Sequence, residues 1–155
     1  MLPEETDVAS FTIFVDKTEP RLKRALCATY GSEAGVEATR DALVYAWQHW
    51  DRIKDMDNPM GYLYAVGRSR TRRYLRRKVL FPAVPSDRMP WVEPALPVAV
   101  AQLSETQRVC VVLTEGYQWT HREVADLLGV SRSTVQTHIE RALERLRREL
   151  GVRCE

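Results

Sequence analysis

Two groups of side chains in this sequence have types and spacings suited to gripping a polyanion. The first is Arg132, Ser133, Thr134, Gln136, Thr137 and Arg141, joined by His138. None is a large hydrophobe, and all can bond to base edges or phosphate oxygens. The second lies between residues 68 and 78, which hold seven bases and no acid. Arg68, Arg72 and Arg76 recur there at steps of four, a register in which like charges repel on a helix. Arg70, Arg73 and Arg77 add to the same cationic side. Phosphates would relieve that repulsion, so nucleic acid is the expected ligand, with binding that weakens as salt rises. Reaction chemistry has no comparable support. His49, His121 and His138 are scattered, and there is no Gly-rich phosphate loop and no metal-ligand spacing. No catalytic residue, metal site or cofactor is therefore expected.

The elements that must carry the first group have clear start and stop signals. Ser104 with Gln107, and Thr120 with Glu123, have capping-box spacing, in which each side chain satisfies the other residue's backbone N–H. The helix opened by Ser104 is expected to bury Val109, Val112 and Leu113 and to stop at Gly116, in the left-handed conformation of a helix end. The helix opened by Thr120 carries Val124, Ala125, Leu127 and Leu128 and halts at Gly129. Ser131 caps a third, with Val135, Ile139, Ala142, Leu143, Leu146 and Leu150 on one stripe. A short helix, a glycine turn and a longer capped helix predict a helix-turn-helix that enters the major groove.

The second group falls on a helix opened by Asn58-Pro59 and predicted to run to about Val79. On a wheel of about 100° per residue, Met60, Leu63, Tyr64, Gly67, Thr71 and Leu75 share the side opposite the arginines. Upstream, helical patterns are predicted from about Val8 to Tyr30, with a break or kink at Thr18–Pro20. A further helix, capped by Ser32, runs to about Trp50, with Val36, Leu43, Val44, Ala46, Trp47 and Trp50 on one broad face. Residues 51–58 read as a charged loop. Phe81 to Pro97 holds five of the eight prolines and reads as a linker. The expected architecture is all-α: a helical domain over 1–80, a Pro-rich linker over 81–98 and a helix-turn-helix domain over 99–155.

Composition is that of an ordinary globular chain. The net charge of +2 conceals an asymmetry, because residues 1–57 hold eleven acids against seven bases. An acidic end and a basic middle suggest two partners of different kinds. With no long apolar run and no signal-peptide pattern, no membrane insertion is expected and the cytoplasm is the expected location. Cys27, Cys110 and Cys154 are expected to be reduced thiols.

This order of parts resembles the bacterial RNA polymerase sigma factors of the extracytoplasmic-function type. LSETQRVCVVL resembles the opening helix of their C-terminal domain, and WTHREVADLLGVSRSTVQTHIERALERLRREL their upstream promoter-reading unit. NPMGYLYAVGRSRTRRYLRR resembles the basic helix that reads and helps melt the −10 element, with Tyr62 where tryptophan is usual. The helix that grips the polymerase clamp departs most. Its usual Asp-Leu-Val-Gln-Glu is here Glu37-Ala38-Thr39-Arg40-Asp41. The resemblance implies a promoter-specificity subunit. Core polymerase would bind Glu37, Arg40, Asp41, Val44, Trp47 and Gln48. The −35 element would meet the Arg132–Arg141 group, and the −10 element Arg68, Arg72, Arg73, Arg76 and Arg77. An anti-sigma factor is the further implied partner. The altered clamp helix also allows a sigma-like regulator that reads DNA without recruiting polymerase.

Overall fold

The structure, a computed structural model, describes residues 4–75 and 95–152, with the backbone alone over 72–75. All regular elements among the described residues are helical. The N-terminal half holds α1 (Glu5–Tyr30), α2 (Ser32–Gln48), α3 (Trp50–Ile53) and α4 (Pro59–Leu75). The C-terminal half holds α5 (Leu96–Gln102), α6 (Glu105–Val111), α7 (His121–Leu128) and α8 (Arg132–Glu149), with a π turn over Val112–Gly116 that extends α6.

α1 passes Pro20 without the predicted break. The disruption of an interior proline, about 3 kcal/mol, is outweighed because Thr18, Leu22, Ala25 and Leu26 are buried on both sides of it. Ser32 does not cap α2; it is the first helical residue, and no side chain caps that end. α2 packs through Gly35, Ala38, Thr39, Ala42 and Ala46, and not through the larger apolar residues the spacing suggests. This small-residue stripe lets α1 come close: a Cβ on Gly35 would stand 2.5 Å from the Cys27 backbone. Val44 and Trp47 are consequently left outside, 54% and 37% exposed. Trp50 is the core tryptophan, with ring centroids 5.1 Å from both Phe11 and Phe14. The expected loop at 51–58 begins with the α3 turn, which buries Ile53.

α4 turns Leu63, Tyr64, Gly67 and Thr71 inward, the side the wheel assigns. Burial pushes the Tyr64 phenol far above its usual pKa, so it stays protonated beside the Thr29 hydroxyl at 2.7 Å. In the other half, both capping boxes form. Gly129 takes the left-handed conformation at φ 68°, as the turn requires. α6 ends at Gly116 as predicted, but the left-handed residue is Gln118, at φ 61°. α5 was not predicted. It starts inside the expected linker and tolerates Pro97 because its first turn leaves backbone N–H groups unbonded in any case. The rest of the expected linker, 81–94, lies outside the described residues.

The halves share one core. Leu22, Leu26, Leu63 and Tyr64 belong to the same buried cluster as Val109, Leu113, Trp119, Val124 and Val135. A second cluster, confined to the C-terminal half, joins Ala99, Leu103, Val111, Ala142 and Leu146. Between the halves lies Arg108, 6% exposed. Its guanidinium donates to Ala28 O at 3.2 Å and Thr29 O at 2.6 Å in the last turn of α1, and to Ala101 O and Leu103 O at 3.2 Å. Burial pulls its pKa below the ordinary arginine value. In return it bonds carbonyls at the negative end of a long helix, which have no partner within the helix.

Candidate nucleic-acid interface

The first surface is the start of α8. Ser131 accepts from Thr134 N at 3.1 Å, and its hydroxyl meets those of Ser133 at 3.0 Å and Thr134 at 2.8 Å. The cap thus engages Thr134, which is only partly exposed, while Arg132, Ser133, Gln136, Thr137 and Arg141 stand in solvent. Gln136 is held by Glu140 at 2.9 Å, and Thr137 donates to Ser133 O at 3.0 Å. Arg132 and Arg141 make no ion pair among the described residues. The opposite face of α8 buries Val135, Ile139, Ala142 and Leu146. This helix therefore gives its back to the core and its front to whatever approaches.

The second surface divides. Arg68 is only partly exposed. Its Nη2 lies 2.6 Å from Glu105 Oε1 at the start of α6, and its backbone carbonyl accepts from Tyr30 Oη at 3.4 Å. It also lies 5.6 Å from the Tyr64 ring centroid. The helix bearing Arg72 and Arg73 is described to Leu75, without those two side chains, and Arg76 and Arg77 lie outside the described residues. Arg70 lies 5.3 Å over the Tyr45 ring. It also lines a hollow of about 430 Å³ with Glu33, Glu37 and Asp41 of α2.

A cationic and aromatic cluster that the sequence reading did not single out lies beside it. Tyr45 and Tyr62 hydroxyls meet at 2.9 Å, and Arg52 Nη2 donates to both, at 2.9 and 2.6 Å. The shared bond holds the Tyr45 phenol below its usual pKa and Tyr62 above it. His49 stacks on Tyr45 with centroids 4.0 Å apart. The other aromatics nearby, Trp50 and Tyr64, are buried. Residues 45, 52, 62 and 70 share no sequence period, so nothing short of the fold brings them together.

The expected polymerase-facing residues do share a surface. Glu37, Arg40, Asp41, Val44, Trp47 and Gln48 are all exposed on α2. Arg40, which departs from the family pattern, pairs with Glu37 at 2.8 Å. Trp47 rests on Phe11 at 4.9 Å between centroids, so its ring is held in place while one side meets solvent.

A capped short helix, a left-handed glycine turn and a longer helix with a free polar start define a helix-turn-helix DNA-binding protein. Residues 95–146 match the family described as Sigma-70, region 4. Over 124 residues the chain is 34% identical to the RNA polymerase sigma-E factor of Streptomyces avermitilis, covering 72% of this chain and 68% of that one. The chain belongs to the RNA polymerase sigma factors, of the extracytoplasmic-function type. Several solved structures share its fold, two of which follow. One is the sigma factor RpoE of Bartonella quintana, in complex with the anti-sigma factor NepR. Its TM-score is 0.69 at 18% identity, with 94% of this chain and 99% of that one covered. The other is CnrH, in complex with the cytosolic domain of CnrY, with a TM-score of 0.64 at 22% identity and coverage of 94% and 90%. Among the described residues, no helix is long and apolar enough to cross a membrane.

Proposed function

We propose that this sigma factor binds core RNA polymerase through the exposed face of α2 and directs it to promoters by a division of labour between its halves. Glu37, Asp41, Val44, Trp47 and Gln48 supply an acidic and apolar strip for the polymerase, with Arg40 shielding Glu37. α8 reads the −35 element, with Arg132, Ser133, Gln136 and Thr137 at base edges and Arg141 nearer phosphate. Thr134 completes that edge while holding the helix start. Arg72, Arg73, Arg76 and Arg77 hold the −10 element, where the Tyr45–Tyr62–Arg52 cluster offers aromatic surface to unpaired bases, while Arg68, paired with Glu105, stands apart from them. The chain contributes recognition and no catalysis. An anti-sigma factor is the fitting inhibitory partner, since a protein of the same fold is bound by one.

The observation that carries this is the start of α8, a capped helix whose exposed residues Arg132, Ser133, Gln136, Thr137 and Arg141 are all polar. The test is transcription in vitro with core polymerase and a promoter library, with and without the chain. Enrichment of transcripts sharing a −35/−10 pair is expected. A specific observation favours a second reading: the Arg40–Glu37 pair removes one acid from the α2 surface. If the full chain footprints DNA but does not co-purify with core polymerase, it is a sigma-like regulator instead.

A further inference from the structure

His49, Arg52 and Arg70 come from the end of α2, from α3 and from α4, and they converge on Tyr45 while staying exposed themselves. The Tyr45 ring is closed in by them. The His49 imidazole lies nearly parallel to it, with centroids 4.0 Å apart and an interplanar angle of 22°. The Arg70 guanidinium lies 5.3 Å from its centroid, and the Tyr62 ring is tilted against it at 6.2 Å. Its hydroxyl is engaged by both Tyr62 and Arg52. Of the three rings, Tyr45 and Tyr62 are half-buried and only His49 is exposed. The open face of the group is therefore the outer side of the imidazole.

That ring is also fixed. His49 Nδ1 lies 2.9 Å from the Tyr45 backbone oxygen. A carbonyl only accepts, so Nδ1 is the donor, and the ring cannot turn over without losing the bond. The same oxygen takes the His49 backbone N–H at 3.1 Å. A histidine that merely ends a helix needs no more than this. Here the ring beneath it is braced as well. Arg52 donates from one nitrogen to both phenols, at 2.9 and 2.6 Å, and lies 5.5 Å over the Tyr62 ring. Neither Arg52 nor Arg70 makes an ion pair among the described residues. A fixed flat ring with a free face and cations beside it suits single-stranded nucleic acid, because every unpaired base has a face to stack and its backbone needs positive charge. A base within a duplex already has both faces covered.

We propose that His49 is a base-stacking residue of the −10 surface, taking one unpaired base on its outer face, and that Arg52 is the positioning residue that braces Tyr45 and Tyr62 beneath it. This rests on the −10 reading above and adds to it the side chain that meets the base, which lies neither on α4 nor among its arginines. Arg52 then acts through the two phenols and not through a phosphate. Losing it lowers affinity for an unpaired strand without changing how many phosphates the chain neutralises.

Fluorescence anisotropy of the full chain tests this, with a labelled oligo-dT strand of about 12 nucleotides, within the reach of one small module, and with a duplex of the same length. His49→Ala should weaken the single strand roughly 5- to 150-fold, the usual loss for one base on an aromatic ring, and leave the duplex unchanged. His49→Phe keeps a stacking ring and gives up the carbonyl bond, so it should hold the single strand nearly as well as wild type. If Phe and Ala fail alike, His49 only ends α2 and the proposal falls. Arg52→Gln should weaken the single strand several-fold at an unchanged salt slope; a slope smaller by about 0.7 marks a phosphate contact and overturns the positioning role. Photocrosslinking to an iodouracil-substituted strand, read by mass spectrometry, should label the peptide that holds His49. Labels confined to other peptides overturn the proposal, as does an equal loss of single strand and duplex in His49→Ala. Neither measurement needs polymerase. A chain that transcribes selectively yet binds the single strand equally well as His49→Ala keeps the function proposed above and loses this one, whereas His49-dependent binding by a chain that recruits no polymerase keeps the stacking role alone.

Discussion

The two cationic helices differ in what they give up to the fold. α8 commits one face to the core and leaves Arg132, Ser133, Gln136, Thr137 and Arg141 exposed on the other. α4 lies between α1, α2 and α7, and its leading arginine is spent on Glu105 in the other half. Their caps differ in the same way. Ser131 caps α8 with bonds inside its own first turn. Asn58 caps α4 through Gly61 N at 3.0 Å and at the same time bonds Asp126 O, 68 residues away. A helix at the edge of a fold keeps its polar bonds to itself, whereas one between two halves shares them.

The largest effect expected of a single change lies under α4. Leu26 is fully buried, and a Cβ on Gly67 would come within 2.9 Å of it. Leu26→Ala should cost about 2–5 kcal/mol in urea unfolding and should speed hydrogen exchange in α4 before α8. Equal acceleration in both helices would break the contrast. Next come the reading residues. Arg132→Ala should lose about 1–3 kcal/mol at the base pair it touches and little elsewhere. Arg72→Ala should weaken all sequences alike and flatten the salt dependence by about 0.9 in log–log slope. Fluorescence anisotropy of the polymerase-bound chain on variant promoters separates the two. A common sequence-blind loss would sink the division of labour.

Smaller effects separate a local cap from a shared one. Ser131→Ala should cost about 1 kcal/mol in thermal unfolding. Asn58→Ser keeps a capping oxygen but gives up the bond to Asp126, worth about 0.5–1.5 kcal/mol, so Asn58→Ala should fall further than either. If Asn58→Ser is neutral, α4 is capped as independently as α8. The smallest is a pH effect. Thr120, through its N–H first and its hydroxyl next, and Arg21 hold the Glu123 carboxyl below its ordinary value. A depressed carboxylate contributes stability that is complete above the unfolded pKa, about 4.3, and is lost as pH falls through the lower folded value. Melting temperature should therefore drop more for wild type than for Glu123→Gln between pH 5 and 3. Parallel curves would remove this contribution.

The helix-turn-helix was legible because its instructions are local. Ser104–Gln107, Thr120–Glu123, Gly129 and Ser131 act over three or four residues, and the stripe from Val135 to Leu146 needs only helical geometry to be read. The buried side of α4 could be read the same way. α2 was misread because its apolar spacing does not say which of two faces meets a neighbour. A stripe of Gly35, Ala38, Ala42 and Ala46 is the better fit to two closely packed helices, and that left Val44 and Trp47 exposed. Pro20 misled because a local penalty was weighed without the burial on either side of it.

The amino-acid order alone determined where α6, α7 and α8 begin, the end of the α7 turn at Gly129, which side of α8 is greasy, and that arginines crowd the stretch after Gly67. These follow from contacts within a turn or two of chain. Only the tertiary structure decided that Arg68 meets Glu105 across 37 residues and that Arg108 reaches Ala28 across 80. The physical reason is that a guanidinium binds whichever carboxylate or carbonyl the packed helices bring within about 3 Å, and no periodicity in a sequence encodes that choice.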